Sequence, residues 1–210
     1  NEPHMDGLRR ELLESAKEFY STLAESRQND AASLVDLAAA HRILGEISWK
    51  MGEHDQAIKE IQASMGAATE ANASELSAAE YLRGAMRLSS YYLQTGRFEE
   101  SLEVLNKTLS QTDRRREANP KDVELSHLES NLLELRGKVH RRKNNSPEAI
   151  ADFQRSHEIL VPLTEQFPSV HVYARDLTNV YTNLAQLAFE QHRDNEAELL
   201  HRKALVIRRS

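Results

Sequence analysis

The stretch His41 to Ile58, HRILGEISWKMGEHDQAI, decides how the rest of the chain is read. It has the pattern of one helical hairpin. Gly45 sits inside an apolar-periodic helical run, where glycine is about 1 kcal/mol worse than alanine and so marks a close approach by a neighbouring helix. Gly52, followed by the polar Glu53-His54-Asp55, stands where a helix terminator in the left-handed conformation belongs, with Asp55 as cap of the next helix. Ala57 gives that second helix its own small contact point, twelve residues after Gly45.

The twelve-residue gap between small residues recurs from Ser89 to Ser101, Gly137 to Ala149 and Ala185 to Ala197. Between each pair lies a polar, turn-forming stretch: Gly96-Arg97, Asn144-Asn145-Ser146-Pro147, and His192-Arg193-Asp194-Asn195. A small residue on each of two antiparallel helices lets their backbones approach where they cross, so the chain reads as a repeated helical hairpin. The second small residues, at 57, 101, 149 and 197, are 44, 48 and 48 residues apart. Because the hairpin core is constant, the extra length falls between hairpins.

Composition agrees. Of 210 residues, 40% are hydrophobic and 29% charged, with only 7 Gly and 5 Pro, which fits long amphipathic helices and opposes a loop-rich or β fold. The absence of cysteine excludes a disulfide framework and thiolate metal sites, and fits a cytoplasmic setting. No apolar run approaches the length of a membrane span, so no membrane insertion is expected. A net charge of −6 opposes general nucleic-acid affinity.

In chain order, Asn1 to Met5 reads as an unpatterned start or tag remnant, and 6–210 as one repeat domain. Leu8, Leu12, Ala16, Phe19 and Leu23 make the stripe of a first, unpaired helix over about 6–27. Hairpins are expected at about 31–71, 74–117, 121–166 and 169–209, giving nine helices in all. Asn29-Asp30, Asn72-Ala73-Ser74, Asn119-Pro120 and Phe167-Pro168-Ser169 mark the breaks. Pro162, inside an apolar run, predicts a kink or an early helix end.

Signals for chemistry are weak. Arg175-Asp176-Leu177 lacks the asparagine of a kinase catalytic loop, no Gly-rich phosphate loop or Asp-Phe-Gly occurs, and a solvated helix face is expected instead. The nine histidines form no His-x3-His pair beside carboxylates, so they are expected at surfaces and helix ends, with no metal or cofactor. No serine has a histidine and carboxylate placed around it, and no catalytic residue is expected. The basic runs Arg114-Arg115-Arg116 and RGKVHRRK, 136–143, read as solvated surface or, functionally, as a site for an acidic partner.

The hairpin residues resemble the tetratricopeptide repeat family. Its aromatic-x2-Leu-Gly-x2-Tyr then Ala-x3-Phe pattern is present in pieces: Leu44-Gly45 with Ala57-x3-Ile61, Leu88-Ser89-x2-Tyr92 with Ser101-x3-Leu105, Ala149-x3-Phe153, and Tyr181-x2-Leu184-Ala185 with Ala197. His41, Arg136 and His201 depart from it, and the period exceeds the plain family's ~34 residues. Ala16-x3-Tyr20 looks like the second helix of a hairpin whose first helix precedes the chain. The implied fold is an all-α, right-handed α-solenoid of antiparallel hairpins.

The resemblance also implies a function: a non-catalytic interaction scaffold, whose first helices line a groove for a peptide or protein segment. By position, that groove receives Arg42, Glu46 and Trp49, then Arg83, Arg87 and Ser90, then Asn131, Glu134, Lys138 and Arg141, then Asn179, Thr182, Asn183 and Gln186. The third set is open, because the stripe Leu125, Leu128, Leu132, Leu135, Val139 is one residue out of the register that Gly137 implies. Asn179 and Asn183 have amides suited to pairing with a peptide backbone, or else are polar helix surface. Glu46, Met86 and Leu135 interrupt the family's carboxylate clamp, so a free C-terminal carboxylate is not the expected ligand. The stretches LRRELLESAKEFYSTLAES, 8–26, and DLAAAHRILGEI, 36–47, resemble the repeat regions that follow the kinase domain in large bacterial serine/threonine kinases. Leu199, Leu200, Ala204, Leu205 and Ile207 on the last helix predict an open face: the chain continues, the fragment self-associates, or 195–209 is itself the cap.

Overall fold

The computed structural model describes residues 3–27, 33–71, 75–119 and 121–209. The break signals Asn29-Asp30, Asn72-Ala73-Ser74 and Pro120, the first two residues, and the side chain of Leu8 lie outside those described. Nine α-helices and no strand occupy the described residues: α1 Pro3–Arg27, α2 Leu34–Lys50, α3 His54–Glu70, α4 Glu75–Gln94, α5 Phe98–Ala118, α6 Val123–Arg142, α7 Ser146–Gln166, α8 His171–Glu190 and α9 Asp194–Arg209. The fold is an all-α helical repeat. The helices fall into two compact units, Asn1–Tyr91 and Tyr92–Ser210.

Every first helix ends the same way. Gly52, Gly96, Asn144 and His192 have φ of 85°, 77°, 58° and 58°, and each follows its small residue by seven positions. The next amide closes back over the helix end: Glu53 N–H donates to Ser48 O at 2.9 Å, Arg97 to Tyr92 at 2.8 Å, Asn145 to His140 at 2.9 Å and Arg193 to Ala188 at 2.8 Å. Such a six-residue closure satisfies a carbonyl that a helix end otherwise leaves open. Asp55 is not the cap expected of it. It lies in the first turn of α3, while Glu53 holds the N-cap position without a side-chain cap bond and pairs with Lys17 of α1.

The small residues of the first, third and fourth hairpins lie where helices touch. A Cβ on Gly45 would come within 2.7 Å of Ile61 Cδ1 and 3.0 Å of Ala57 O on α3. One on Gly137 would come within 2.7 Å of Phe153 Cε1 on α7. Ala185 and Ala197 are buried where α8 packs on α9, and Ser89 and Ser101 are fully buried. Gly137 therefore sets the α6 register, yet Leu125, Leu128, Leu132 and Val139 are buried too. Both stripes are correct because α6 packs against α5, α7 and α8 and so has more than one inward face.

In the first unit, α1 packs on α2 and α2 on α3. Its core gathers Ala24, Leu37, Ala38, Leu44, Ala67 and Ala68, with Tyr20, Leu23 and Tyr81 at the edge. This corrects part of the stripe expected on α1: Leu12 and Phe19 are each 63% exposed, whereas Leu23 packs inward as expected, beside Tyr20 and Ala24. Pro3 to Met5 belong to the first turns of α1 rather than to an irregular start.

In the second unit α7 packs on α8 and α8 on α9, around Phe153, Leu160, Leu177, Val180, Tyr181 and Leu187. Pro162 does not end α7, which runs on to Gln166. The stripe on α9 divides. Leu200, Ala204 and Ile207 pack inward, whereas Leu199, Leu205 and Val206 remain at least half exposed. His201, where an aromatic is usual, is exposed.

Helix length explains the uneven period. α4, α6 and α8 each have 20 residues, and α5 and α7 have 21, but α3 has only 17. The shorter 44-residue interval is thus one helical turn missing from α3.

Candidate functional site

The first-helix residues that the repeat pattern places on the inner face are joined by polar contacts from one first helix to the next within each unit. In the first unit Arg42 of α2 donates through Nε to Glu80 Oε2 of α4 at 2.9 Å, and Arg83 Nη1 reaches the other oxygen of Glu80 at 2.7 Å. Glu46 Oε1 receives Arg42 Nη1 at 3.3 Å and Arg87 Nη2 at 3.0 Å. Burial works against the Arg42 cation, but the carboxylates of Glu80 and Glu46 more than offset it and raise its pKa. Arg42, Glu46, Arg83, Met86 and Arg87 line a cleft of about 270 Å³.

Trp49 and Tyr91 close the other end of this face, with ring planes 2° apart and centroids separated by 4.0 Å. His54 stacks on Trp49 at 4.3 Å. Burial, with Glu46 adding to it and Arg87 opposing, pushes the Tyr91 hydroxyl up to about 12. Its hydroxyl donates to Gly45 O at 3.4 Å. Ser90 is half-buried.

In the second unit α6 and α8 are linked likewise. Glu134 Oε1 accepts from Asn183 Nδ2 at 3.1 Å and pairs with Lys138 Nζ at 2.7 Å. Asn183 Nδ2 also donates to Asn179 O at 3.0 Å, so this amide is engaged within the protein. Asn179, Thr182 and Gln186 are exposed. Arg141 Nη1 lies 4.0 Å from Glu190 Oε1. Asn131 Nδ2 is 3.3 Å from His127 Nε2, and that nitrogen is 2.8 Å from Asp176 Oδ2.

Several expectations are overturned here. Asp176 and Leu177 are buried, so Arg175-Asp176-Leu177 is no solvated face. Burial raises the Asp176 pKa, but bonds from His127 and Arg175 outweigh it and hold the carboxyl below its usual range. The basic runs are solvated in part, with Arg114, Arg115 and Arg142 exposed, while other members are drawn into internal pairs. Arg116 pairs with the buried Glu129 at 3.0 Å, Arg136 makes a forked pair with Asp152 at 2.6 and 2.9 Å, and Lys143 reaches Glu99. His41 and His157 are not surface histidines: they contact Glu60 at 2.7 Å and Tyr181 Oη at 2.9 Å. Repeat position does not mark Glu80, Tyr91, His127 or Asp176, since their roles depend on partners more than thirty residues away.

No group of three or more His, Asp or Glu arranged to hold a metal occurs among the described residues. No helix among them is long and apolar enough to cross a membrane.

Residues 177–210 match the tetratricopeptide repeat family profile. No curated protein sequence matches the chain. Among solved structures, BtubC (BKLC) from P. vanneervenii is similar with a TM-score of 0.72 at 16% identity, over 94% of this chain and 74% of that one. MamA is similar with a TM-score of 0.60 at 11% identity, over 100% and 96%. A MamA RS-1 double mutant gives 0.56 at 15% identity, over 98% and 90%. At these identities the likeness is one of fold. The shared fold is an all-α helical repeat, and the tetratricopeptide repeat match itself covers residues 177–210.

Proposed function

We propose that this chain is a non-catalytic protein-interaction scaffold, holding a peptide or protein segment against the inner faces of its first helices. The observation that carries the reading is the fixed polar surface there: Arg42–Glu80, Glu46–Arg87 and Glu134–Asn183 each tie one first helix to the next, with Arg83, Arg87 and Lys138 partly open to solvent. A surface already ordered by internal bonds loses little conformational entropy when a partner arrives. Such faces suit capture of an extended or helical segment better than chemistry. The setting inferred from the resemblance of 8–26 and 36–47 is a regulatory or docking region of a larger bacterial serine/threonine kinase in the cytoplasm.

The test uses the purified chain as bait, with the double variants Arg83→Gln/Arg87→Gln and Asn179→Ala/Asn183→Ala. A partner retained by the unaltered chain is identified, purified and titrated by calorimetry. The reading expects weaker binding in at least one double variant with an unchanged helical signal, because exposed helix positions shift stability by only about 0.5 kcal/mol. Unchanged affinity in both would place the partner elsewhere. A second reading, self-assembly, is favoured by the outward Leu199, Leu205 and Val206 on α9. Light scattering over a wide concentration range tests it, and a constant monomer mass removes it.

A further inference from the structure

A cavity of about 730 Å³ in the second unit lies among the end of α7, the first half of α8 and the end of α9. Its lining has an unusual charge balance for a protein carrying −6 overall: Arg175, Arg208 and His171 are present, with no Asp or Glu. Ala174, Ile207 and Pro168 supply apolar surface between them.

The cations there are only lightly engaged. Arg175 uses its Nε for Asp176 Oδ1 at 2.9 Å and its side chain is 68% exposed. Asp176 is a nearby carboxylate, but it is buried and also bonded by His127. Arg208 is exposed and has no ion pair among the described residues. Thr164 and Thr178 donate their hydroxyl hydrogens to Leu160 O and Ala174 O, which leaves the arginines as the charged donors, beside the exposed Asn179 amide and His171 ring. The first turn of α8, which bears His171, contains no acidic residue, so the positive end of that helix is not offset by its own side chains.

We propose that this cavity is a docking site for an acidic peptide segment, with its carboxylate side chains on Arg175 and Arg208 and its aliphatic parts on Ala174 and Ile207. The volume is that of a ligand pocket, and charge complementarity of this kind sets both encounter rate and partner choice. The site rests on the reading of the chain as a protein-binding module. It shares no residue with the ion-paired faces of α2 and α4.

The experiment is fluorescence anisotropy with a fluorescein-labelled oligoglutamate peptide, an oligoglutamine peptide of equal length, and the intact chain. The glutamate peptide should bind and the glutamine peptide should not. Arg175→Gln and Arg208→Gln should each weaken binding by about tenfold, the effect of losing one charged hydrogen-bond pair. Arg208→Gln alters no internal pair, so its result does not depend on a folding defect. Arg83→Gln/Arg87→Gln should leave peptide binding within about twofold, since neither residue lines this cavity. Equal binding of the two peptides, no binding of the glutamate peptide, or unchanged binding in Arg208→Gln would overturn the site. So would equal weakening by the Arg83/Arg87 variant, which would indicate diffuse electrostatics. These failures leave the inner-face reading standing, because that reading is judged on a captured partner and on Arg83 and Arg87, which do not line this cavity; Asn179 is common to both sites.

Discussion

The ring of Phe153 occupies the space that a side chain at residue 137 would need, with Cε1, Cδ1 and Cζ all within 2.9 Å of an ideal Cβ position. Phe153 is fully buried, so it has nowhere to retreat. Gly137→Ala should therefore destabilise despite alanine's better helix propensity, and Gly137→Leu should cost about 1 to 3 kcal/mol or more. Gly66 supplies the internal control, because nothing lies within 4 Å of its would-be Cβ. Gly66→Ala should stabilise by about 0.5 to 1 kcal/mol. Thermal melts of the two alanine variants, shifting in opposite directions, check both statements.

The left-handed residue that ends each first helix is glycine twice, asparagine once and histidine once. An L side chain in that conformation costs roughly 1 to 2 kcal/mol, less for asparagine. Gly96→Ala should thus lower stability by about 1 kcal/mol, whereas His192→Gly should raise it. Urea unfolding measures each. A lower midpoint for His192→Gly would mean that the histidine makes a compensating contact.

Arg136 stands where the repeat family usually has leucine, and the structure supplies a reason: its guanidinium forks onto the buried Asp152 of α7 and also reaches Asn106 of α5. Restoring the usual residue by Arg136→Leu should destabilise by about 3 kcal/mol or more, because it strands a buried carboxylate. Arg136→Leu/Asp152→Leu should recover most of that loss. A double-mutant cycle in urea reads the coupling.

Stability should fall in two acid windows. Burial holds the pKa of both His140 and His157 below the ordinary 6.5. The unfolded chain then takes up protons first as pH drops through that value, and stability declines from near neutrality downward. Asp176 has the opposite chemistry but the same trend: its folded pKa is below the ordinary 3.8, so its contribution is full above that value and is lost as pH falls through the folded pKa. Melting midpoints across pH should show both slopes. His140→Gln/His157→Gln should flatten the upper one and leave the lower.

Helix positions are legible in the sequence because the twelve-residue gap and the turn residues are local signals. The α6 ambiguity has a physical origin, since one helix packed against α5, α7 and α8 buries residues of both stripes, Leu132 and Gly137 among them. On α1 the apolar count favours Leu12 and Phe19, and only the Ala16-x3-Tyr20 spacing points to the face that is inward. The charged partners are not legible. Glu46 with Arg87, or His127 with Asp176, are 41 and 49 residues apart, and periodicity says which face a residue occupies but not what sits opposite.

The missing turn of α3 bears on how such a chain can vary. Removing four residues from a helix rotates its remaining residues by only about 40° beyond a full revolution, so the inward side chains still point inward. Removing two would rotate them through roughly 200° and expose the core. Length in this architecture is therefore adjustable in steps of one turn. The stagger between neighbouring first-helix faces becomes a graded quantity, open to change by insertion or deletion in the second helices without disturbing the glycine and alanine contacts within the hairpins that have them.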